Sequence, residues 1–119
     1  MRKQSNSVLK LVNLEMGHPT VHEALVRLAS EIQIARHEGY RMMKLIHGYG
    51  SSGAGGEIRI ALQKRLSEMA RGGEISACIF GEDWSKSDAQ TWQLIKSRPE
   101  LKQDRDLNRG NRGMTIVVL

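Results

Sequence analysis

A histidine followed by a dense run of glycines, His47-Gly48-Tyr49-Gly50-Ser51-Ser52-Gly53-Ala54-Gly55-Gly56, carries the strongest chemical signal in this chain. Glycine lets the backbone visit φ > 0 and bring N–H groups close to a ligand, and the free N–H groups at the start of a following helix favour phosphate. An apolar run precedes the glycines and a helical pattern follows them, which is the layout of an anion-binding strand, loop and helix. A tight βα connection with no ligand has the same layout. His47 closes the apolar run, where an imidazole can exchange a proton, touch a phosphate, or simply fix the loop by a hydrogen bond. Glu15 and His18 stand at the end of an earlier apolar run, and two parallel neighbouring strands would bring them to the same edge as His47.

Two better-known glycine loops fail on the residues. The stretch 48–53 matches G-x-G-x-x-G, but a dinucleotide site wants that motif in the first βα unit and an acidic residue ending the next strand. Here it falls in the second unit, and the next strand ends in Phe80-Gly81. A phosphate-binding loop of the Walker type needs Lys and Ser/Thr after the last glycine, where this chain has Ala54-Gly55. His18 and His22 are four apart, but the first precedes the helix, so no metal site is expected.

The elements that must position these groups alternate between short apolar runs and amphipathic stretches, which predicts an α/β arrangement. The first strand is expected over 8–14, ending before Pro19. Thr20 and Glu23 form a capping box, and Val21, Ala24, Leu25, Leu28, Ile32 and Ala35 recur at helical spacing until Gly39. A second strand is predicted over 42–47, and a second helix carries Ile58, Leu62, Leu66 and Met69 on one face before Gly72-Gly73. A third strand is predicted over 75–80. The last, over 113–119, is apolar nearly throughout and belongs inside the sheet. Between those two lies a polar insertion at about 81–112, with a short helix expected over 88–97, bounded by Pro99 and anchored by Trp84 and Trp92. Cys78 lies in an apolar run and reads as a small core residue of a reducing compartment.

With 119 residues, the chain has the ordinary size of one domain. No apolar stretch approaches membrane-spanning length and no signal peptide is evident, so a cytoplasmic protein is expected. Eighteen Lys and Arg against thirteen Asp and Glu give a net charge of +5, compatible with polyanionic partners. Lys96, Arg98, Lys102, Arg105, Arg109 and Arg112 gather in the last third, and Arg36, Arg41 and Lys44 flank the middle.

Taken together, His47-Gly48-Tyr49-Gly50, the glycine-rich stretch, Ile58-Arg59 and the closing Gly113-Met114-Thr115-Ile116-Val117-Val118-Leu119 resemble the small MutS-related (Smr) domain over nearly the whole chain. That family carries an L-D-x-H-G strand end, an H-G-x-G loop leading to an L-R pair on a helix, and a final T-I-V-x-L strand, in the order found here. The resemblance implies a two-layer α/β (α+β) sandwich, βαβαββ, with a four-stranded mixed sheet, two main helices and a short extra helix between the last two strands. It also implies nucleic-acid binding, with DNA or RNA as partner and no membrane, and in several members endonuclease activity.

Residue by residue, His47, Gly48 and Gly50 match the loop and Arg59 matches the helix arginine, while Glu15 keeps the carboxylate of the first motif. Gly17 stands where the family has its other histidine, and His18 follows one residue late, a shift that turns a side chain to the opposite face. In a cleavage reaction His47 would serve as acid/base or phosphate contact and Glu15 as orienting carboxylate or ligand to a divalent metal. Loop N–H groups and Arg59 would stabilise the developing charge. Gly48, Tyr49, Gly50, Ser51, Ser52, Gly53, Arg59 and His18 are the expected phosphate-contacting set, with Tyr49 placed to stack on a base. The primary expectation is a nucleic-acid-binding domain acting in DNA repair or recombination or in RNA metabolism. The alternatives are an active metal-assisted endonuclease and a nucleotide-binding or protein-interaction module that keeps only the fold.

Overall fold

A computed structural model describes residues 8–49 and 55–119. Strand β1 (Leu9–Asn13) leads to helix α1 (Val21–His37), strand β2 (Met42–Ile46), helix α2 (Gly55–Arg71) and strand β3 (Ala77–Phe80). A 3-10 turn (Gly81–Asp83), helix α3 (Ala89–Ser97) and a second 3-10 segment (Pro99–Gln103) then precede strand β4 (Met114–Val118). The sheet order is β1-β2-β4-β3, with β1 parallel to β2 and β4 antiparallel to both its neighbours. The expected four-stranded mixed sheet and the element order are those observed, and β4 lies inside the sheet, as its unbroken apolar run predicts.

Local signals account for the helices. At α1, Thr20 Oγ1 accepts from the Glu23 N–H at 3.1 Å and Glu23 Oε1 accepts from the Thr20 N–H at 2.8 Å, so two donors left orphaned by the helix start are satisfied reciprocally. Asp88 caps α3, accepting from the Thr91 N–H at 2.9 Å. Ala24, Leu28, Ile32 and Ala35 of α1 and Ile58, Leu62, Leu66 and Met69 of α2 pack with Val12, Leu14, Met43, Leu45 and Val117 into one core. Among the described residues no helix is long and apolar enough to cross a membrane.

The insertion is polar in composition, yet it builds a second core on the other face of the sheet. Trp84, Ile95, Leu101 and Leu107 pack there with Met42, Ile79, Met114 and Ile116, and Trp84 is completely buried, whereas Trp92 remains exposed. Gly81 begins the insertion under a steric demand, because a Cβ at this position would lie 1.8 Å from the Asn111 carbonyl oxygen.

A buried cation ties the insertion to the sheet. Lys44, in the middle of β2, faces the second core and its ammonium pairs with Asp104 at 2.8 Å and Asp106 at 2.5 Å. Asp104 Oδ2 also accepts from the Trp84 indole N–H at 2.9 Å, and Asp106 Oδ1 accepts from the Asn111 amide at 3.1 Å. Burial alone would raise the Asp106 carboxyl, but hydrogen bonds from Lys44 and Asn111 hold it below the usual aspartate range. Lys44, which in sequence is one of the cations flanking the middle of the chain, is therefore an internal strut.

Candidate functional site

Because β4 is antiparallel to both β2 and β3, the C-terminal ends of β1, β2 and β3 and the N-terminal end of β4 reach the same edge of the sheet. Four segments meet there: the turn at 15–18, residues 47–49, the 3-10 turn at Gly81–Asp83, and residues 111–113. The starts of α1 and α2 follow two of them, which is the usual ligand edge of an open α/β sheet.

The first segment is a tight turn. His18 N–H bonds the Glu15 carbonyl at 3.1 Å, and Gly17 and His18 both adopt positive φ, +80° and +50°. Arg27 of α1 secures the turn from beneath by donating to the Met16 carbonyl, and its guanidinium lies 3.4 Å from where a Gly17 Cβ would be. The left-handed pair reverses the chain in two residues, with glycine in the position that costs nothing. Glu15, Met16 and His18 are exposed.

His47 behaves differently. It is about 1% exposed, between the sheet and α2, with Nδ1 2.7 Å from the Gly48 carbonyl oxygen and Nε2 2.9 Å from Thr115 Oγ1. A carbonyl only accepts, so Nδ1 carries the proton and Nε2 accepts from the threonine hydroxyl. Burial drives the imidazole below its ordinary range. The Gly48 carbonyl opposes that shift, the Arg59 charge reinforces it, and Glu15 and Glu82 oppose it from a distance. His47 is thus neutral near pH 7, and both ring nitrogens are engaged within the protein.

Gly48 follows at φ +73°, and its Cα faces the Glu15 carboxylate so closely that a Cβ would lie 2.7 Å from Oε1. The His47 and Gly48 N–H groups both donate to the Gly113 carbonyl, at 2.9 and 3.0 Å. Tyr49 is 55% exposed beside Gly113. Gly50, Ser51, Ser52 and Gly53, the rest of the expected phosphate loop, lie outside the described residues. Where α2 begins, Glu57 is exposed in the first turn, and Arg59 pairs with Glu82 at 2.6 Å while its Nε, buried, has no hydrogen-bond partner. Gln63 Nε2, one turn further on, is also buried without a partner.

The structure therefore gathers Glu15, His18, His47, Gly48, Tyr49 and Arg59 at one edge, with the histidine inside and the others around it. Thr115, Glu82, Asn111 and Gly113 belong to the same constellation; the sequence marks Gly113 and Thr115 only as part of the closing strand motif and gives none of the four a place in the site. Thr115 had a signal, as the one hydroxyl in an otherwise apolar strand. Among the described residues no three His, Cys, Asp or Glu side chains come together as a metal-binding group.

No family profile and no curated protein sequence matches this chain. Among solved structures it is similar to the crystal structure of the Smr domain of Thermus thermophilus MutS2, with a TM-score of 0.55 and 22% identity, over 93% of this chain and 98% of that one. The likeness establishes an Smr-like fold.

Proposed function

We propose that this chain is a nucleic-acid-binding domain whose contact edge is formed by the turn at 15–18, residues 47–49 and the start of α2, and that His47 positions the loop without itself exchanging protons with a substrate. The observation that carries this reading is the convergence of those segments at the edge of the sheet where α1 and α2 begin, an arrangement suited to phosphate. Exposed Tyr49 offers a face for base stacking, and Arg59, held near the start of α2 by Glu82, contributes a positive charge to the same edge. The Glu15 carboxylate over Gly48 repels an anion at that point, so phosphate contact belongs further along, at the entrance to α2.

Acid/base catalysis by His47 would need one of its ring nitrogens turned to the substrate, and both are hydrogen-bonded within the protein, to Gly48 and Thr115.

Fluorescence anisotropy with a labelled single-stranded DNA, the RNA of the same sequence and a duplex, at about 50 mM and about 200 mM salt, tests the binding. Affinity should fall steeply with salt, and Tyr49→Ala and Arg59→Ala should each weaken it. Affinity indifferent to salt would sink a phosphate-dominated interface. The same strands incubated with the protein should remain intact; cleavage lost on His47→Gln or Glu15→Ala would establish the endonuclease instead.

A further inference from the structure

We infer that segment 105–112, the last part of the insertion, forms a second, basic half of this interface, an arm that grips the phosphodiester backbone beyond the loop edge. The inference rests on the nucleic-acid reading above and adds to it a surface outside the His-Gly loop.

The segment carries Arg105, Arg109 and Arg112 against one carboxylate, Asp106. That carboxylate is turned inward, onto the Lys44 ammonium and the Asn111 amide. The three arginines are exposed, and among the described residues none forms an ion pair, although the Arg105 charge lies close enough to help keep Asp106 ionised. Segregation of this kind, the negative charge spent internally and the positive charges left outside, produces a local cationic surface that ordinary mixed solvated faces lack.

The arm is held in a defined shape. Asn108 and Gly110 both take positive φ, Asn108 N–H bonds the Trp84 carbonyl at 2.9 Å, and its side-chain oxygen accepts from the Lys86 N–H at 2.9 Å. Leu107 is buried in the second core. Arginines on a fixed turn lose less freedom on binding than arginines on a loose loop.

Its position is fixed against the first half of the interface. Asn111 Oδ1 accepts from the Gly113 N–H at 2.8 Å, and the Gly113 carbonyl accepts from both His47 and Gly48. A Cβ at Gly113 would lie 3.3 Å from Gly48 Cα and 3.4 Å from Tyr49 Cδ1. Arg112 is thus one residue from direct packing against the His-Gly loop, and the chain of contacts from Lys44 through Asp106 and Asn111 to Gly113 aligns the arm with the loop. The ligand chemistry is a run of phosphates, as in a DNA or RNA strand.

The test measures the salt dependence of binding, with labelled single-stranded DNA and RNA of one sequence as probes. Each phosphate contact contributes about 0.7 to the slope of log affinity against log salt for a single strand, so Arg105→Gln/Arg109→Gln/Arg112→Gln should lower the slope by about 2. Arg41→Gln/Arg98→Gln serves as the control, since those residues line a cavity with Met42 and Val118 at the opposite end of the sheet. The control should leave the slope unchanged. Urea unfolding of each variant, followed by tryptophan fluorescence, verifies that the fold persists. A reduced slope on both probes supports the arm as a phosphodiester clamp, and a reduction on one probe supports it and assigns the arm to that nucleic acid. A folded triple variant with the parent slope, in a protein whose binding Tyr49→Ala still weakens, overturns the arm alone. A parent protein that binds neither probe overturns the arm together with the nucleic-acid reading.

Discussion

Replacing Lys44 with methionine should destabilise the protein by about 3–5 kcal/mol near pH 7, as expected when one partner of a buried ion pair is removed and the other remains charged. The side chains involved justify the buried scale: Lys44, Asp104 and Asp106 are 7%, 10% and 15% exposed. Methionine keeps most of the lysine volume, so the loss reports the stranded carboxylates and not a cavity. Against a total stability of about 5–15 kcal/mol for an ordinary domain, this is a large fraction.

The effect carries a pH signature. In the variant, desolvation and mutual repulsion raise the aspartate pKa values in the folded state above their unfolded values, so the folded form binds more protons and regains stability as pH falls. In the parent, Asp106 sits below its unfolded value, and its contribution is lost only as pH falls through that depressed value. The stability difference should therefore shrink between about pH 7 and about pH 5, by up to about 1.4 kcal/mol per pH unit for each proton taken up. Urea titration followed by tryptophan fluorescence measures it, since buried Trp84 bonds Asp104 directly. Adding Asp104→Asn and Asp106→Asn to the variant should recover most of the loss. A difference below about 1 kcal/mol, or one that does not change with pH, would refute a buried ionic strut.

Three further outcomes follow from the loop edge. Thr115→Val leaves His47 Nε2 buried without a donor and should cost about 1–3 kcal/mol in urea unfolding; a neutral result would mean that the hydroxyl does not serve the imidazole. Because His47 is held below its unfolded pKa, its share of stability is complete above about pH 6.5 and declines as pH falls through that value toward the folded one. NMR titration of the ring should show that depressed value, and an ordinary or raised one would contradict the buried neutral form. Gly48→Ala should cost about 1–2 kcal/mol for the left-handed φ, plus a smaller amount for displacing Glu15. A double-mutant cycle with Glu15→Ala should remove only the second part, and full rescue by Glu15→Ala would show that the backbone is not strained there.

The features legible in the sequence are those whose causes are local. The Thr20–Glu23 box and the stripe ending at Gly39 define α1 within one segment, and the unbroken apolar run at the chain's end places β4 inside the sheet. Parallel neighbours β1 and β2 were enough to bring Glu15, His18 and His47 to one edge. The interactions that decide their states act across long separations. Lys44 reads as a solvated charge on a strand because its partner Asp104 is 60 residues away, and His47 meets Thr115 across 68. Trp84 and Leu107, scattered through polar sequence, show no periodicity that would reveal a second core. The pairing of Arg59 with Glu82 depends on the 3-10 turn after β3, which no sequence pattern announces.

The distribution of charge along the edge leads to a last prediction, which separates binding from cleavage at a single residue. Two helix N-termini direct positive potential toward this edge, but Glu23 and Glu57 occupy their first turns and Glu82 already pairs with Arg59. Glu15 is therefore one more negative group on a surface proposed to hold phosphates, and among the described residues it forms no ion pair. If the edge only binds, Glu15→Gln keeps the side-chain shape over Gly48, removes one repulsive charge, and should tighten single-strand binding. Exposed like-charge interactions amount to roughly 0.3–1 kcal/mol, so the gain should be about two- to fivefold at low salt and should fade as salt is raised. If Glu15 instead orients a reacting group or holds a metal, the same substitution abolishes cleavage and does not improve affinity. Anisotropy and strand integrity measured on the same samples distinguish the two, and weaker binding by Glu15→Gln at low salt would contradict the repulsive role assigned to this carboxylate.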